Sequence, residues 1–184
     1  MKMQIRKSVF ETNSSSTHSI CISKTKPKIN HDVIVGFEIG EYGWENDTVD
    51  IKDYLYTAIN CQTDRDEFMT QLKTILDKNN IKYYFGKVKL KTYGDDTFLK
   101  NGDIDHSYET RKFIGAVLDD EDMLMRLIFN DDSVVYTGND NQDKVLDGCD
   151  VAERNTVDFV NGEWITTPNP YHDEEKFDYF YKGN

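Results

Sequence analysis

A run of eight polar residues near the amino terminus, positions 12–19, carries the side chains best suited to chemistry. It reads T-N-S-S-S-T-H-S and joins two segments with strand-like alternation, residues 3–10 and 19–23. A plain hairpin turn needs two to five residues and usually contains glycine, whereas this segment is longer and has none. The length and the composition together indicate a loop that does more than reverse the chain.

Hydroxyls, amides and backbone N–H groups can surround phosphate oxygens without steric bulk, and a nearby arginine or lysine can add positive charge. The sequence therefore predicts that this loop binds a nucleotide or another phosphorylated ligand. The residues predicted to contact that ligand are Arg6, Asn13, Ser14, Ser15, Ser16, Thr17, His18 and Ser19.

Two other interpretations of the loop stay open. Its Ser and Thr side chains could simply bond to neighbouring backbone groups, as they do in many turns. A serine beside His18 could also become a nucleophile if the imidazole reached the hydroxyl and a carboxylate oriented the ring. The chain has no GxSxG motif, and this absence disfavours covalent serine catalysis.

Charge is distributed unevenly along the 184 residues, whose net charge is −12. Residues 1–28 carry six Lys or Arg and one Glu, whereas residues 119–184 carry 17 Asp or Glu and five Lys or Arg. This asymmetry predicts separate basic and acidic surfaces, and the acidic one would steer the chain toward a basic protein surface or imitate a DNA backbone. The residues predicted to form the acidic surface are Asp119, Asp120, Glu121, Asp122, Asp131 and Asp132.

Three lysines, Lys87, Lys89 and Lys91, alternate with Val88 and Leu90 and follow the aromatic run at residues 83–85. Lysines with aromatic neighbours can form a nucleic-acid platform. Lysines on one face of a strand also protect an exposed sheet edge. The second interpretation is favoured, so direct nucleic-acid binding is not the predicted role of the chain.

Metal and cofactor chemistry find little support in the sequence. Five residues at 95–106 could offer carboxylate and imidazole ligands, but their spacing does not match an EF-hand loop and favours a solvated acidic loop. The three cysteines, Cys21, Cys61 and Cys149, form no CxxC pair and are predicted to be reduced structural thiols. The chain also lacks a P-loop, a GxGxxG and an HExxH motif. We therefore predict no cofactor and no metal, and we favour a non-enzymatic protein.

Strand patterns lie at both ends of the chain and helix patterns lie in the middle, which predicts one α+β domain spanning residues 1–184 with a mainly antiparallel sheet. About four helices are expected, near residues 51–59, 64–78, 108–118 and 120–128. A β-hairpin is expected at each end, and the carboxyl-terminal one turns at Asn161-Gly162. No apolar run is long enough to span a membrane and no signal-peptide segment is visible, so the expected location is the cytoplasm.

The run I-R-K-S-V-F-E-T-N-S-S-S-T-H-S, at residues 5–19, resembles the amino-terminal signature of a family of small bacteriophage and prophage proteins. The run Y-T-G-N-D-N, at residues 136–141, is similar to a second and weaker signature of that family. The resemblance implies a phage-encoded accessory protein, and it carries over no particular activity. We therefore expect a protein that binds and modulates a host factor in the host cytoplasm; the alternative is a nucleotide-binding or nucleotide-modifying protein that uses the loop at residues 12–19.

Overall fold

The computed structural model describes residues 16–43, 47–94, 96–139 and 151–183. The helices are α1 (Ile51–Asn60), α2 (Arg65–Lys78), α3 (Arg111–Asp119) and α4 (Glu121–Phe129), and a 3-10 turn at Ser107–Thr110 leads into α3. The strands, β1 to β12 in chain order, are Ser16–Ser23, Ile34–Phe37, Glu41–Tyr42, Asp47–Val49, Lys82–Phe85, Leu90–Tyr93, Asp96–Leu99, Asp103–Ile104, Val134–Asn139, Asn155–Val160, Glu163–Pro168 and Phe177–Gly183.

The largest sheet has four antiparallel strands in the order β12-β1-β9-β4. Side chains alternate between the two faces of a strand, so β1 contributes to two different cores. Ile20 and Ile22 point to the face that packs with the four helices. Cys21 points to the other face, where it packs with Val151 and Phe177. The sheet is therefore covered on both sides at its central strand.

Helices α1 and α4 begin at aspartates whose side chains cap them. Asp50 precedes α1, and its carboxylate accepts hydrogen bonds from the backbone N–H groups of Lys52 and Asp53. Asp120 precedes α4 in the same way and accepts from Met123 N at 3.0 Å. Each helix then turns an apolar stripe toward the common core, which is what its periodicity requires.

The predicted α+β class, with four helices and mainly antiparallel strands at both ends, is confirmed. The predicted carboxyl-terminal hairpin is also present, as β10 and β11. Two of the smaller pairings are parallel, β2 with β5 and β3 with β8. No helix among the described residues is long and apolar enough to cross a membrane.

Only the second strand of the predicted amino-terminal hairpin lies among the described residues. Its first strand, residues 3–10, lies outside the described residues. Its second strand is longer than expected, because residues 16–19, which were predicted to be loop, already belong to β1. From His18 to Cys21, β1 pairs with β12 on one edge and with β9 on the other.

Strands β2 and β3 follow closely in the chain but do not form one continuous strand. Two side chains of α1 explain the interruption. Asp53 accepts a hydrogen bond from Glu38 N at 2.9 Å, and Thr57 Oγ1 accepts one from Gly40 N at 3.0 Å. Because these backbone donors bond to a helix, the segment between the two strands does not continue as a ladder.

Candidate functional site

Three residues of the predicted ligand-binding loop are buried. Thr17, His18 and Ser19 are at most 4% exposed, and all three lie within β1. Ser16 begins that strand, while Arg6, Asn13, Ser14 and Ser15 lie outside the described residues. The strand places this segment directly against β9, where His18 pairs with Thr137. The sheet thus places residues 16–19 beside residues 136–139.

His18 occupies a defined position in the core. Its Nε2 lies 2.9 Å from the backbone oxygen of Asp105; because a carbonyl only accepts, Nε2 is the donor. Its ring lies 5.8 Å from the ring of Tyr54, measured between centroids. Burial lowers the pKa of His18 below its ordinary value, and the hydrogen bond to Asp105 opposes that shift only in part. His18 is therefore a neutral structural donor at neutral pH rather than an exposed base.

This burial predicts a pH-dependent stability. As pH falls through the ordinary histidine range, the unfolded chain takes up a proton at His18 that the folded chain does not. The free energy of unfolding should therefore decrease as the pH decreases. The contribution of one group cannot exceed about 1.4 kcal/mol per pH unit. Urea unfolding between about pH 7.5 and 5.5 measures this slope, and His18→Gln, which keeps an uncharged donor, should flatten it.

His31 provides the matched control because it is exposed. His31→Gln should leave the slope of the wild-type chain unchanged. Equal slopes for the wild type and His18→Gln would contradict the assignment of His18 as a buried neutral group.

The predicted acidic surface is largely occupied by the chain's own cations. Lys78 pairs with Glu121 at 2.5 Å, Lys26 pairs with Asp122 at 2.9 Å, and Lys176 pairs with Asp132 at 3.0 Å. These contacts lower the pKa of Glu121, through Lys78 and Asn79, and lower the pKa of Asp122, chiefly through Lys26. Basic and acidic residues are therefore interleaved at this surface.

The remaining members of that set have local roles or lie in solvent. Asp119 accepts a hydrogen bond from the side chain of Gln71 at 3.3 Å, and Asp120 caps α4. Asp131 is exposed in the turn that precedes β9. The six residues do not form a continuous row of uncompensated carboxylates, because Lys26, Lys78 and Lys176 approach from other segments.

A second surface stands out at the carboxyl-terminal hairpin, β10–β11. Its register places Phe159 opposite Trp164, with ring centroids 4.9 Å apart, and places Val157 opposite Thr166 on the same face. Trp164 is 73% exposed, Phe159 61% and Val157 57%. Among the described residues, the two strands pair only with each other. We call Val157, Phe159 and Trp164 the aromatic face of the hairpin.

The hairpin is held firmly at both ends. At its tip, Asn161 and Gly162 both have positive φ, 54° and 90°, as a two-residue type I′ turn requires. At its base, the buried Asn169 donates from its backbone N to Arg154 O and from its side chain to Glu153 O, both at 2.9 Å. The aromatic face is thus presented on a defined support.

Metal binding and cysteine chemistry were also considered for the chain. Among residues 16–43, 47–94, 96–139 and 151–183, no group of three His, Cys, Asp or Glu side chains is arranged to hold a metal ion. Burial raises the pKa of the Cys21 and Cys61 thiols to about 12, which fits the predicted structural role of these two cysteines; Cys149 lies outside the described residues. No family model, curated protein or solved structure matches the chain.

The aromatic face was not among the residues that the sequence singled out. The turn and both strands of the hairpin were predicted, and V-D-F-V-N-G-E-W-I contains the necessary signal. Pairing outward from the Asn-Gly turn aligns Phe159 with Trp164. What the sequence could not supply is the exposure of that face, because exposure depends on what the rest of the fold places over it.

Proposed function

We propose that this chain is a non-enzymatic binding protein of the phage or prophage accessory type, which binds and modulates a host protein in the host cytoplasm. The observation that supports this proposal is the exposed aromatic face of β10–β11. This face supplies the contact surface, in place of the paired carboxylates around α4. The alternative role in nucleotide binding loses support, because Thr17, His18 and Ser19 are buried in β1.

An exposed aromatic pair on a separate hairpin is difficult to explain by folding alone. A two-stranded hairpin without further strands is marginally stable in water, and burying Phe159 and Trp164 against the body would add stability. Large exposed apolar patches usually mark interaction sites. Trp and other aromatic residues dominate the binding energy of protein interfaces, where they fill pockets at the centre. The arrangement therefore favours insertion of this face into an apolar pocket of a partner.

The charge around the hairpin defines the partner further. Residues 155–175 contain five carboxylates, two within the hairpin and three after it, and no Lys or Arg; one of the five, Glu174, pairs with Arg154. Glu163 is exposed next to the turn. An anionic lipid surface or a nucleic acid would be repelled by this charge. The matching partner is a protein with an apolar pocket bordered by Lys and Arg, and the acidic rim would chiefly accelerate association with it.

A capture experiment with matched variants tests the proposal. Tagged wild-type protein and the double variant Phe159→Ala/Trp164→Ala are incubated at low salt with nuclease-treated lysate of a bacterial host. Tyr108→Ala serves as the control, because Tyr108 is 69% exposed on another part of the chain. Proteins captured by the wild type and by Tyr108→Ala but not by the double variant are identified and purified.

The purified partner should then bind the wild-type chain and lose about 30-fold or more of its affinity for Trp164→Ala. Glu163→Lys should slow association, and added salt should do the same to the wild type. Because the altered side chains are exposed, all variants should melt within a few degrees of the wild type. Failure to capture any protein that discriminates the wild type from the double variant would overturn the proposal.

A further inference from the structure

A second exposed surface lies on the antiparallel pair β6–β7. Its register pairs Lys91 with Phe98 and Tyr93 with Asp96, and the hydrogen bond from Lys100 N to Lys89 O, at 2.7 Å, extends the ladder by one more pair. Directly paired residues lie on the same face, as do alternate residues along each strand. Three lysines and two aromatic residues therefore share one face, which we call the basic-aromatic face: Lys89, Lys91, Lys100, Tyr93 and Phe98.

The opposite face of the same strands is apolar at one pair. Leu99 is only 6% exposed there and pairs with Leu90. Asn101 then fixes the approach to β6, because its side chain accepts a hydrogen bond from Lys89 N at 2.7 Å and donates one to Lys87 O at 2.9 Å. The basic-aromatic face is exposed, and the Asn101 side chain holds the backbone at its Lys89 end.

The lysines of this face are available to an anion. Among the described residues, no carboxylate lies within ion-pair distance of Lys89, Lys91 or Lys100, although burial raises the pKa of Asp103 and Lys91 is near enough to that carboxyl to oppose the rise. Lys26, Lys78 and Lys176, in contrast, are paired. Tyr93 is 70% exposed and Phe98 is 48% exposed, so both rings can accept a planar group. Asp96 lies at the turn end of the face, and this places the positive charge toward the Lys89 and Lys100 end.

We infer that the basic-aromatic face binds single-stranded nucleic acid, as a site separate from the aromatic face of β10–β11. Lysines spaced about 7 Å apart along β6 would contact successive backbone phosphates, while Tyr93 and Phe98 would stack on bases. Stacking requires unpaired bases, so a duplex offers only the phosphate contacts. An acidic polypeptide would satisfy the lysines but not the aromatic rings, and for this reason nucleic acid is the favoured ligand.

Fluorescence anisotropy with a labelled oligothymidylate of about 12 nucleotides tests the inference at low salt. Because about three lysines contact phosphates, the affinity should fall about 20-fold between 50 and 200 mM salt. Tyr93→Ala and Phe98→Ala should each weaken binding about tenfold. The charge-reversed variant Lys91→Glu should reduce it further, and a duplex of the same length should bind more weakly than the single strand.

The controls are matched in exposure and charge. Tyr108→Ala removes an aromatic ring that is 69% exposed, and Lys112→Ala removes an exposed lysine on α3; both should bind like the wild type. Trp164→Ala should also bind like the wild type, which separates this site from the proposed partner surface. No binding at 50 mM salt, or equal loss in the Tyr108 and Tyr93 variants, would overturn the inference. Displacement of the oligonucleotide by polyglutamate at equal charge would overturn it as well, and would assign the face to acidic polypeptides.

Discussion

Replacement of Arg126 by alanine should lower the free energy of unfolding by about 3 kcal/mol. The side chain on α4 is 7% exposed and connects three elements. One terminal nitrogen, Nη1, donates to Ser23 O in β1 and to Asp178 in β12, both at 2.7 Å, and Nε donates to Asp122 at 3.1 Å. Removal of the guanidinium takes a charged donor from a backbone carbonyl and separates a helix from the central sheet.

The size of the expected loss of stability follows from the surroundings of Arg126. Breaking a fully buried ion pair costs about 3–5 kcal/mol, but Asp122 and Asp178 are about half exposed and can be solvated again, so the lower end applies. Urea unfolding followed by circular dichroism measures the change, and the melting temperature should fall by about 6–12 °C. Arg126→Lys keeps the charge without the forked geometry and should lie between the alanine variant and the wild type.

Lys26→Ala is the control, because Lys26 forms an exposed ion pair with one of the carboxylates that Arg126 contacts. Its Nζ contacts the same Asp122 at 2.9 Å, but the side chain is 79% exposed. Lys26→Ala should therefore change the stability by less than about 1 kcal/mol. An Arg126→Ala variant no less stable than Lys26→Ala would show that the buried guanidinium does not hold α4 to the sheet.

Local sequence signals predicted the helices and turns well. In α2, which was predicted near residues 64–78, the apolar residues Phe68, Leu72, Ile75 and Leu76 form one buried stripe. The Asn161-Gly162 pair forms the expected tight turn with two positive φ angles. These features depend on interactions within a few residues, so periodicity and turn chemistry are sufficient to identify them.

Pairings between distant segments were not predictable in the same way. The neighbours of β1 are β12 and β9, and nothing local to residues 16–23 identifies either strand. The prediction of separate basic and acidic surfaces failed for the same reason. Lys26, from the basic end, lies 2.9 Å from Asp122, and Lys24 Nζ donates to Glu174 O at 2.5 Å, so segments of opposite charge meet in the fold.

In the candidate site, the alternation of side chains along β1 could have predicted more than it did. His18 lies on the same side of β1 as Ile20 and Ile22, so extending their two-residue period backward places the imidazole in the core. The polar composition of residues 12–19 obscured this alternation and favoured a loop. For β6 the alternation of lysines was recognised, but their association with Phe98 depends on the register with β7.

Replacement of Tyr54 should separate the contribution of its ring from that of its hydroxyl. The side chain is fully buried in α1, surrounded by the rings of Tyr42, His18 and Phe113 at centroid distances of 5.4, 5.8 and 6.1 Å. Its hydroxyl has no hydrogen-bond partner among the described residues, and burial raises the pKa of Tyr54 well above its ordinary value. The ring therefore stabilises the core while the hydroxyl loses hydration without compensation.

Tyr54→Phe should consequently raise the free energy of unfolding by about 1 kcal/mol, because it removes an unsatisfied buried polar group. Tyr54→Ala should lower it by about 4 kcal/mol, because it leaves a cavity among three rings. Tyr56→Phe is the control of opposite sign: the Tyr56 hydroxyl donates to Gly86 O at 2.9 Å, so its loss should destabilise the chain by about 1 kcal/mol. Equal destabilisation by Tyr54→Phe and Tyr56→Phe in urea unfolding would mean that the Tyr54 hydroxyl is bonded in solution, and would contradict the assignment of an unsatisfied group to the centre of the core.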